Sequence, residues 1–436
     1  MNLTLHRAPV LLPVSGPPIA DGAIAVHDGR IHAVGRHDEL NSELSGEPGL
    51  ERIEWAGAII PGLVNAHTHL QYTDMAAVGR GSYDGFEDWS RSFLAAYGTE
   101  HDWAQSAAAG TALALQSGTT TIADVVTNSD ARSALHDAGL HGITFWEVFA
   151  WRTSHWRAEG ATFLEERLAA IPTPPAAGLS PHAVYSLGTE VLRDLSARAS
   201  NLGVRLHIHA AESRFEDEFT LTGSGTLADQ WRDRGYPDFE LLAAGGSGLR
   251  TIEYLDSVGA LTAATHLAHG IYVDADDREL LRRRRVAVAL CPRSNSVIGL
   301  DAPPLAAYLR EGNAIAVGTD SLSSSPSLNV LDDVAALYRI AREQGYHSAD
   351  LHHRLLEAAT LGGARALGLA DGPHASGALT GGARADLAVV DVTSTVPEDA
   401  LAELVETGST PVTATIVGGE KRWSARALAG REATNA

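Results

Sequence analysis

Two rhythms of apolar and polar positions divide the chain. Over roughly the first 60 residues the apolar segments are short and punctuated by turn formers. Residues 3–5, 23–27, 30–35 and 51–56 predict strands, with Asp28-Gly29 as the hairpin turn between the middle pair. No long helical period interrupts them. Residues 386–391 and 412–417, the latter followed by Gly418-Gly419, have the same character near the other end. The two ends are therefore expected to pair into one small β-sandwich domain made of residues 1–60 and 375–436.

Between the ends, apolar runs alternate with helical periods. Residues 103–116, 191–201 and 304–311 predict helices, and each is followed by a strand-like run at 119–124, 204–209 and 315–320. Strands alternating with helices predict a parallel sheet, and the spread of polar residues over many strand ends favours its closure. The expected fold is α/β, a (β/α)8 TIM-like barrel over residues 61–374. Residues 213–250 break the rhythm with Gly223-Ser224-Gly225, Gly235-Tyr236-Pro237-Asp238 and Gly245-Gly246-Ser247-Gly248. A glycine-rich insertion of this length suggests a lid.

Composition narrows the possibilities further. A chain of 436 residues accommodates a barrel of about 250 residues and an accessory module. A formal charge of −21 without a long basic tract argues against nucleic acid and anionic membranes as partners. That leaves a small-molecule substrate, with a homo-oligomer open. The single cysteine, Cys291, permits no intramolecular disulfide; it closes the apolar run 286–290 and reads as packing rather than as a nucleophile. No secretory leader pattern and no stretch of about 18 apolar residues is found, so the expected location is cytoplasmic. Lys421 is the only lysine, which removes a P-loop, a Schiff base and a carboxylated lysine from the central domain.

The chemistry gathers in separated polar residues that each follow a largely apolar run: His67-Thr68-His69, His209-Ala210-Ala211-Glu212, His269 and Asp320. Alternate residues of a strand share a face, so His67 and His69 form a ready metal clamp at the end of the apolar run 59–66. The segment Pro61-Gly62-Leu63-Val64-Asn65-Ala66-His67-Thr68-His69 resembles the first metal motif of the amidohydrolase superfamily. The likeness continues in the family's order through Gly118-Thr119-Thr120-Thr121, the run from Leu206 to Glu212, Ala268-His269-Gly270, the run from Leu290 to Asn295, Gly318-Thr319-Asp320-Ser321 and Ala383-Arg384-Ala385-Asp386. It covers nearly the whole chain.

That resemblance implies that His67, His69, His209 and Asp320 hold one divalent metal, zinc first and iron as the alternative. Without a lysine to bridge two ions, the site is expected to be mononuclear. Deaminases of cytosine, guanine and adenosine-type substrates in this superfamily carry a glutamate three residues after the third histidine, the position of Glu212. There a carboxyl group can protonate the ring nitrogen beside the amine-bearing carbon. The spacing of 51 positions from His269 to Asp320 also resembles this group and favours His269 over His266 as the catalytic histidine. In the implied mechanism the metal activates a water, Asp320 takes its proton, His269 polarises the attacking oxygen, Glu212 protonates the ring, and ammonia leaves. His207 reads as packing or support.

Substrate contacts follow from the same resemblance. His182 lies in Ser180-Pro181-His182-Ala183-Val184-Tyr185-Ser186, similar to the substrate-touching segment of adenosine-type deaminases. Phe86-Glu87-Asp88-Trp89 looks like a segment of the methylthioadenosine and S-adenosylhomocysteine deaminases, which makes Trp89 a candidate contact. Leu94-Ala95-Ala96-Tyr97 offers no acid where those proteins hold the ribose hydroxyls. A neighbouring group deaminates 6-aminodeoxyfutalosine in menaquinone synthesis. Arg152, with Trp151, Trp156 and Arg157, is the candidate partner for that substrate's carboxylate. The rival readings are deamination of guanine or of methylthioadenosine-type nucleosides, hydrolysis of a triazine or imidazolone ring, and a metal-free structural protein. Glu212 argues against dechlorination, because chloride leaves without a proton, and four convergent ligands argue against a scaffold.

Overall fold

In the computed structural model, which describes residues 3–236 and 239–425, the period-two segments from both ends enter one mixed sheet. Its strands are β1 (Thr4–Leu11), β2 (Ile19–His27), β3 (Arg30–Arg36), β4 (Glu51–Glu54) and β5 (Ala58–Pro61) from the first end. β14 (Leu387–Val390), β15 (Val412–Val417) and β16 (Glu420–Ser424) come from the other. The order is β16-β15-β14-β5-β1-β2-β3, with β4 also on β1. Asp28 and Gly29 both take positive φ in the expected hairpin turn. The sheet curls over itself: Arg30 bridges Arg384, and Leu11, Ile24, Ile31, Leu387 and Ile416 meet in one apolar core.

Two details depart from the pattern. A short helix, His37–Glu43, follows β3, with only Leu40 buried; one apolar anchor leaves too little periodicity to announce it. Residues 51–56 predict one strand, but β4 ends at Glu54 and β5 begins at Ala58; between them Gly57 packs against the backbone of Val390, where a side chain has no room. Residues 1–2 and 426–436 of the expected domain, and Pro237-Asp238 of the expected lid, lie outside the described residues.

The central strands are β6 (Leu63–Thr68), β7 (Thr119–Val126), β8 (His141–Val148), β9 (Ala176–Pro181), β10 (Leu206–Ala210), β11 (Thr265–His269), β12 (Ala287–Leu290) and β13 (Ile315–Val317). Each pairs in parallel with the next. Helices such as Thr189–Leu202 return the chain between strands, burying Val191, Leu192, Leu195 and Ala199 at helical spacing. The seam between β13 and β6 is closed by residues of β6 and those just past the end of β13. The Asn65 amide donates to Thr319 Oγ1 at 2.7 Å, and the Asp320 amide donates to the His67 carbonyl at 3.0 Å. First and last metal motifs are thus stitched to each other.

Barrel closure also fixes glycines. Gly142 on β8 sits at φ +127°, and a Cβ there would lie 1.9 Å from the carbonyl oxygen of Ile122 on β7. The Gly142→Ala substitution is expected to cost about 3 kcal/mol or more, because both the backbone angle and the strand spacing must yield. Urea denaturation checks it; an unchanged midpoint would refute the clash. No helix among the described residues is long and apolar enough to cross a membrane.

Candidate metal centre and pocket

The four motifs reach the same end of the barrel, the carboxyl ends of its strands. His67 is the penultimate residue of β6 and His69 lies one past its end; His209 is on β10, His269 ends β11, and Asp320 follows β13. His269, Asp320 and Ala211, which precedes Glu212, all adopt left-handed backbone, at φ +74°, +57° and +53°. Three non-glycine residues in that conformation within one cluster mark where the chain is bent to aim side chains.

Those side chains converge. His69 Nε2 and His209 Nε2 lie 3.2 Å apart, and Asp320 Oδ1 is 3.6 Å from His67 Nε2 and 3.9 Å from His69 Nε2. His67 Nε2 is buried without a hydrogen-bond partner. Burial lowers the basicity of all three imidazoles, that of His69 to about 3, so their lone pairs are free rather than protonated. Three neutral imidazole nitrogens and a carboxylate oxygen facing one point form a donor set that fits one divalent cation.

Outer partners fix the ligands. His67 Nδ1 pairs with His207 Nε2 at 3.0 Å, and His209 Nδ1 donates to the His182 carbonyl at 3.0 Å. Asp320 Oδ2 accepts hydroxyl protons from Ser294 and Ser324, each at 2.8 Å. His266 instead points along the barrel interior, to the Ala66 carbonyl. Cys291 is buried and packs, as its strand-end position implies.

Glu212 faces the cluster from the pocket side, its Oε1 3.6 Å from His269 Nε2. Burial, with a smaller contribution from the Asp320 charge, pushes its carboxyl up to about 8. Its backbone is held by Glu216, whose carboxyl accepts the amides of Ala211, Glu212 and Ser213 at 2.8–3.0 Å. Glu216 was missed by sequence reasoning; the signal that could have found it is an acid in the first turn of the helix Phe215–Thr222, where a side chain can reach back over the preceding turn.

A cavity of about 440 Å³ opens over these groups. His182 and Trp89 both line it. His182 is anchored through Nδ1 to Ser186 Oγ at 2.9 Å, and the Trp89 indole donates to the Ser323 carbonyl at 2.9 Å. The helix Phe86–Tyr97 buries no residue fully. Its rings Phe86, Trp89, Phe93 and Tyr97 follow one another at 5.2–5.8 Å and line the cavity. The insertion at 213–250 is helical rather than a loose loop, and it places Leu227, Gln230, Trp231 and Arg234 in the cavity wall.

Arg152 is not brought to the cavity. Its guanidinium lies 4.5 Å from the Tyr236 ring centroid and donates to the Gly235 carbonyl, and Arg157 pairs with Glu190 on the surface. The guanidinium that does line the cavity, among the described residues, is Arg234, 5.5 Å from the Trp231 ring centroid. Glu147, on β8 inside the run Phe145-Trp146-Glu147-Val148, also lines it. An acid inside an otherwise apolar strand is the signal by which sequence reasoning could have found it.

Known proteins resemble this chain along its length. Over 399 residues it is 29% identical to a 5-methylthioadenosine/S-adenosylhomocysteine deaminase of Nitratidesulfovibrio vulgaris, covering 86% of this chain and 80% of that one. It is 32% identical over 368 residues to an aminodeoxyfutalosine deaminase of Deinococcus radiodurans, covering 82% and 84%. The fold matches Helicobacter pylori aminofutalosine deaminase in complex with methylthio-coformycin at a TM-score of 0.79 and 20% identity, over 96% of this chain and 99% of that one. It matches a zinc-bound adenosine deaminase from Xanthomonas campestris at 0.78 and 23%, over 98% and 96%. The description "Amidohydrolase family" fits residues 58–422, from the strand before the first metal motif to the last strand of the terminal sheet, and the chain therefore belongs to the amidohydrolase family.

Proposed function

We propose that this protein is a metal-dependent deaminase that hydrolyses an exocyclic amine on a purine nucleoside-type substrate. The observation that carries it is the buried carboxyl of Glu212, 3.6 Å from His269 Nε2 and facing the cluster of His67, His69, His209 and Asp320. The relatives named as deaminases of adenine nucleosides support the same reading. His67, His69, His209 and Asp320 would hold one divalent ion, zinc by preference for a nitrogen-rich set and iron(II) as the alternative. When bound, that ion would supply the Lewis acidity that makes water a nucleophile at neutral pH.

The chain's own groups do the rest. Asp320, with one oxygen fixed by Ser294 and Ser324, accepts the proton of the attacking water through the other. His269, held through Nδ1 by Asn295 at 3.3 Å, steadies the negative charge that grows on the attacking oxygen. Glu212, kept protonated by burial, delivers its proton to the ring nitrogen beside the amine-bearing carbon. Asp320 passes the proton it took from water to the amine, the C–N bond breaks and ammonia departs, and the proton of the new hydroxyl returns to Glu212 as the carbonyl forms. Small-molecule chemistry of this kind, with one buried cysteine, suits the cytoplasm.

For the substrate we favour 6-aminodeoxyfutalosine. The aromatic wall of Phe86, Trp89, Phe93 and Tyr97 suits an arene appended to the nucleoside, and Arg234 rather than Arg152 is the cation placed to meet a carboxylate. Methylthioadenosine or S-adenosylhomocysteine is the second reading, favoured by the relatives of that name. Ammonia release by the zinc-loaded protein from these three nucleosides, adenosine, guanine and cytosine tests both. Turnover is expected to be fastest on the aryl nucleoside. Silence on every adenine nucleoside would sink the proposal.

A further inference from the structure

Glu147 has no place in the chemistry above, yet its position is costly. Its side chain is 5% exposed, and Oε1 has no hydrogen-bond partner. A buried carboxyl oxygen without a donor loses its hydration, and the Ser180 hydroxyl beside it on β9, which favours the charged form, offsets that only in part. It lines the cavity, so a ligand can reach it.

Its placement relative to the metal ligands says what that ligand offers. The His209 ring stands between: its Nε2 meets the ligand cluster, and its Nδ1 lies 3.7 Å from Glu147 Oε1. Glu147 and His182 therefore form a second polar station, one imidazole width and a contact away from the reacting centre. In a purine nucleoside a comparable span separates the amine-bearing carbon from the sugar on the other ring. Tyr72 and Tyr185 line the same region, and neither bonds to Glu147. The helix Phe86–Tyr97 meanwhile lines the cavity with Phe86, Trp89, Ser90, Phe93, Leu94 and Tyr97, none of them an acid.

We propose that Glu147 is a substrate-binding residue whose carboxyl group accepts the sugar hydroxyls of the nucleoside, while Glu212 serves the base. The inference rests on the nucleoside reading above. A hydroxyl pair would supply the missing donors to Oε1, and the strand β8 would hold the acceptor more rigidly than a loop could.

The test compares adenosine with 2′,3′-dideoxyadenosine on the zinc-loaded wild type, Glu147→Gln and the conservative Glu147→Asp. Zinc content and circular dichroism are measured on each. For adenosine, Glu147→Gln is expected to raise KM about tenfold or more with kcat nearly kept, the loss of one hydrogen bond to a carboxylate. For the dideoxy analogue, wild type and variant should differ by less than about threefold, and Glu147→Asp should recover part of the adenosine KM. Equal losses on both nucleosides, or a fall in zinc content, would show that Glu147 only orients His209 and would overturn the proposal. A wild type inert on both and on every other adenine nucleoside of the panel above would overturn the nucleoside reading and this one with it.

Discussion

The Glu212→Gln protein is expected to bind metal normally and to lose deamination by about 10²–10⁴-fold in kcat, the usual worth of a positioned proton donor. The substitution keeps shape and hydrogen-bonding capacity but removes the transferable proton. Glu212 lies beside the ligand cluster without being part of it, and its backbone is held independently by Glu216, so the fold and the ligand geometry should survive. Metal analysis and thermal denaturation of the variant, set beside its ammonia release, separate proton transfer from damage to the site. A variant that keeps wild-type turnover would remove Glu212 from the mechanism and move the weight to a hydrolysis that needs no proton on the leaving side.

Stripping the metal is expected to have the other large effect. Protein dialysed against a chelator should lose deamination by at least about 10³-fold and regain it at one zinc or iron(II) per chain, since a bound divalent ion is what makes water acidic enough to act at neutral pH. Stability should fall as well, because an ion bound only by the folded state contributes about 2.7 kcal/mol at a hundred times its dissociation constant. Without the ion, His67 Nε2 has no hydrogen-bond partner, and the abutting Nε2 atoms of His69 and His209 have only each other. Full activity with far less than one metal per chain would refute the assignment, and recovery only at two would make the site binuclear. The scarcity of lysine argues for one, since Lys421 lies on β16 in the terminal sheet.

How much of this was legible in the chain depends on how far apart the deciding atoms are in sequence. The helix at 103–116 and the strand at 412–417 match their expected bounds, because each is written in its own periodicity. The strand expected at 315–320 ends at Val317, because Asp320 leaves the extended region to turn its carboxylate toward His67. His67, His69, His209 and Asp320 could be named in advance because each sits at the end of an apolar run, and a strand end is a local property.

Arg152 shows the opposite case. Its neighbours Phe149 and Trp151 line the cavity, yet Arg152 turns to Gly235 and Tyr236, and Arg234 from the insertion comes to the wall instead. Residue type and proximity in sequence carried no information about which guanidinium faces inward. Ser294 and Ser324 were silent for the same reason, since each acquires meaning only beside Asp320.

The amino-acid sequence by itself determined the alternation of strands and helices, the pairing of the two ends, the residue types available to a metal, and the exclusion of lysine chemistry. These follow from periodicity and composition, which act along the chain. Only the tertiary structure decided that His69 and His209 approach to 3.2 Å, that Glu212 faces His269, that an aromatic helix walls the cavity, and that Glu147 is buried beside it. Those are distances between residues up to 140 positions apart, set by closure of the barrel, and no local pattern encodes them.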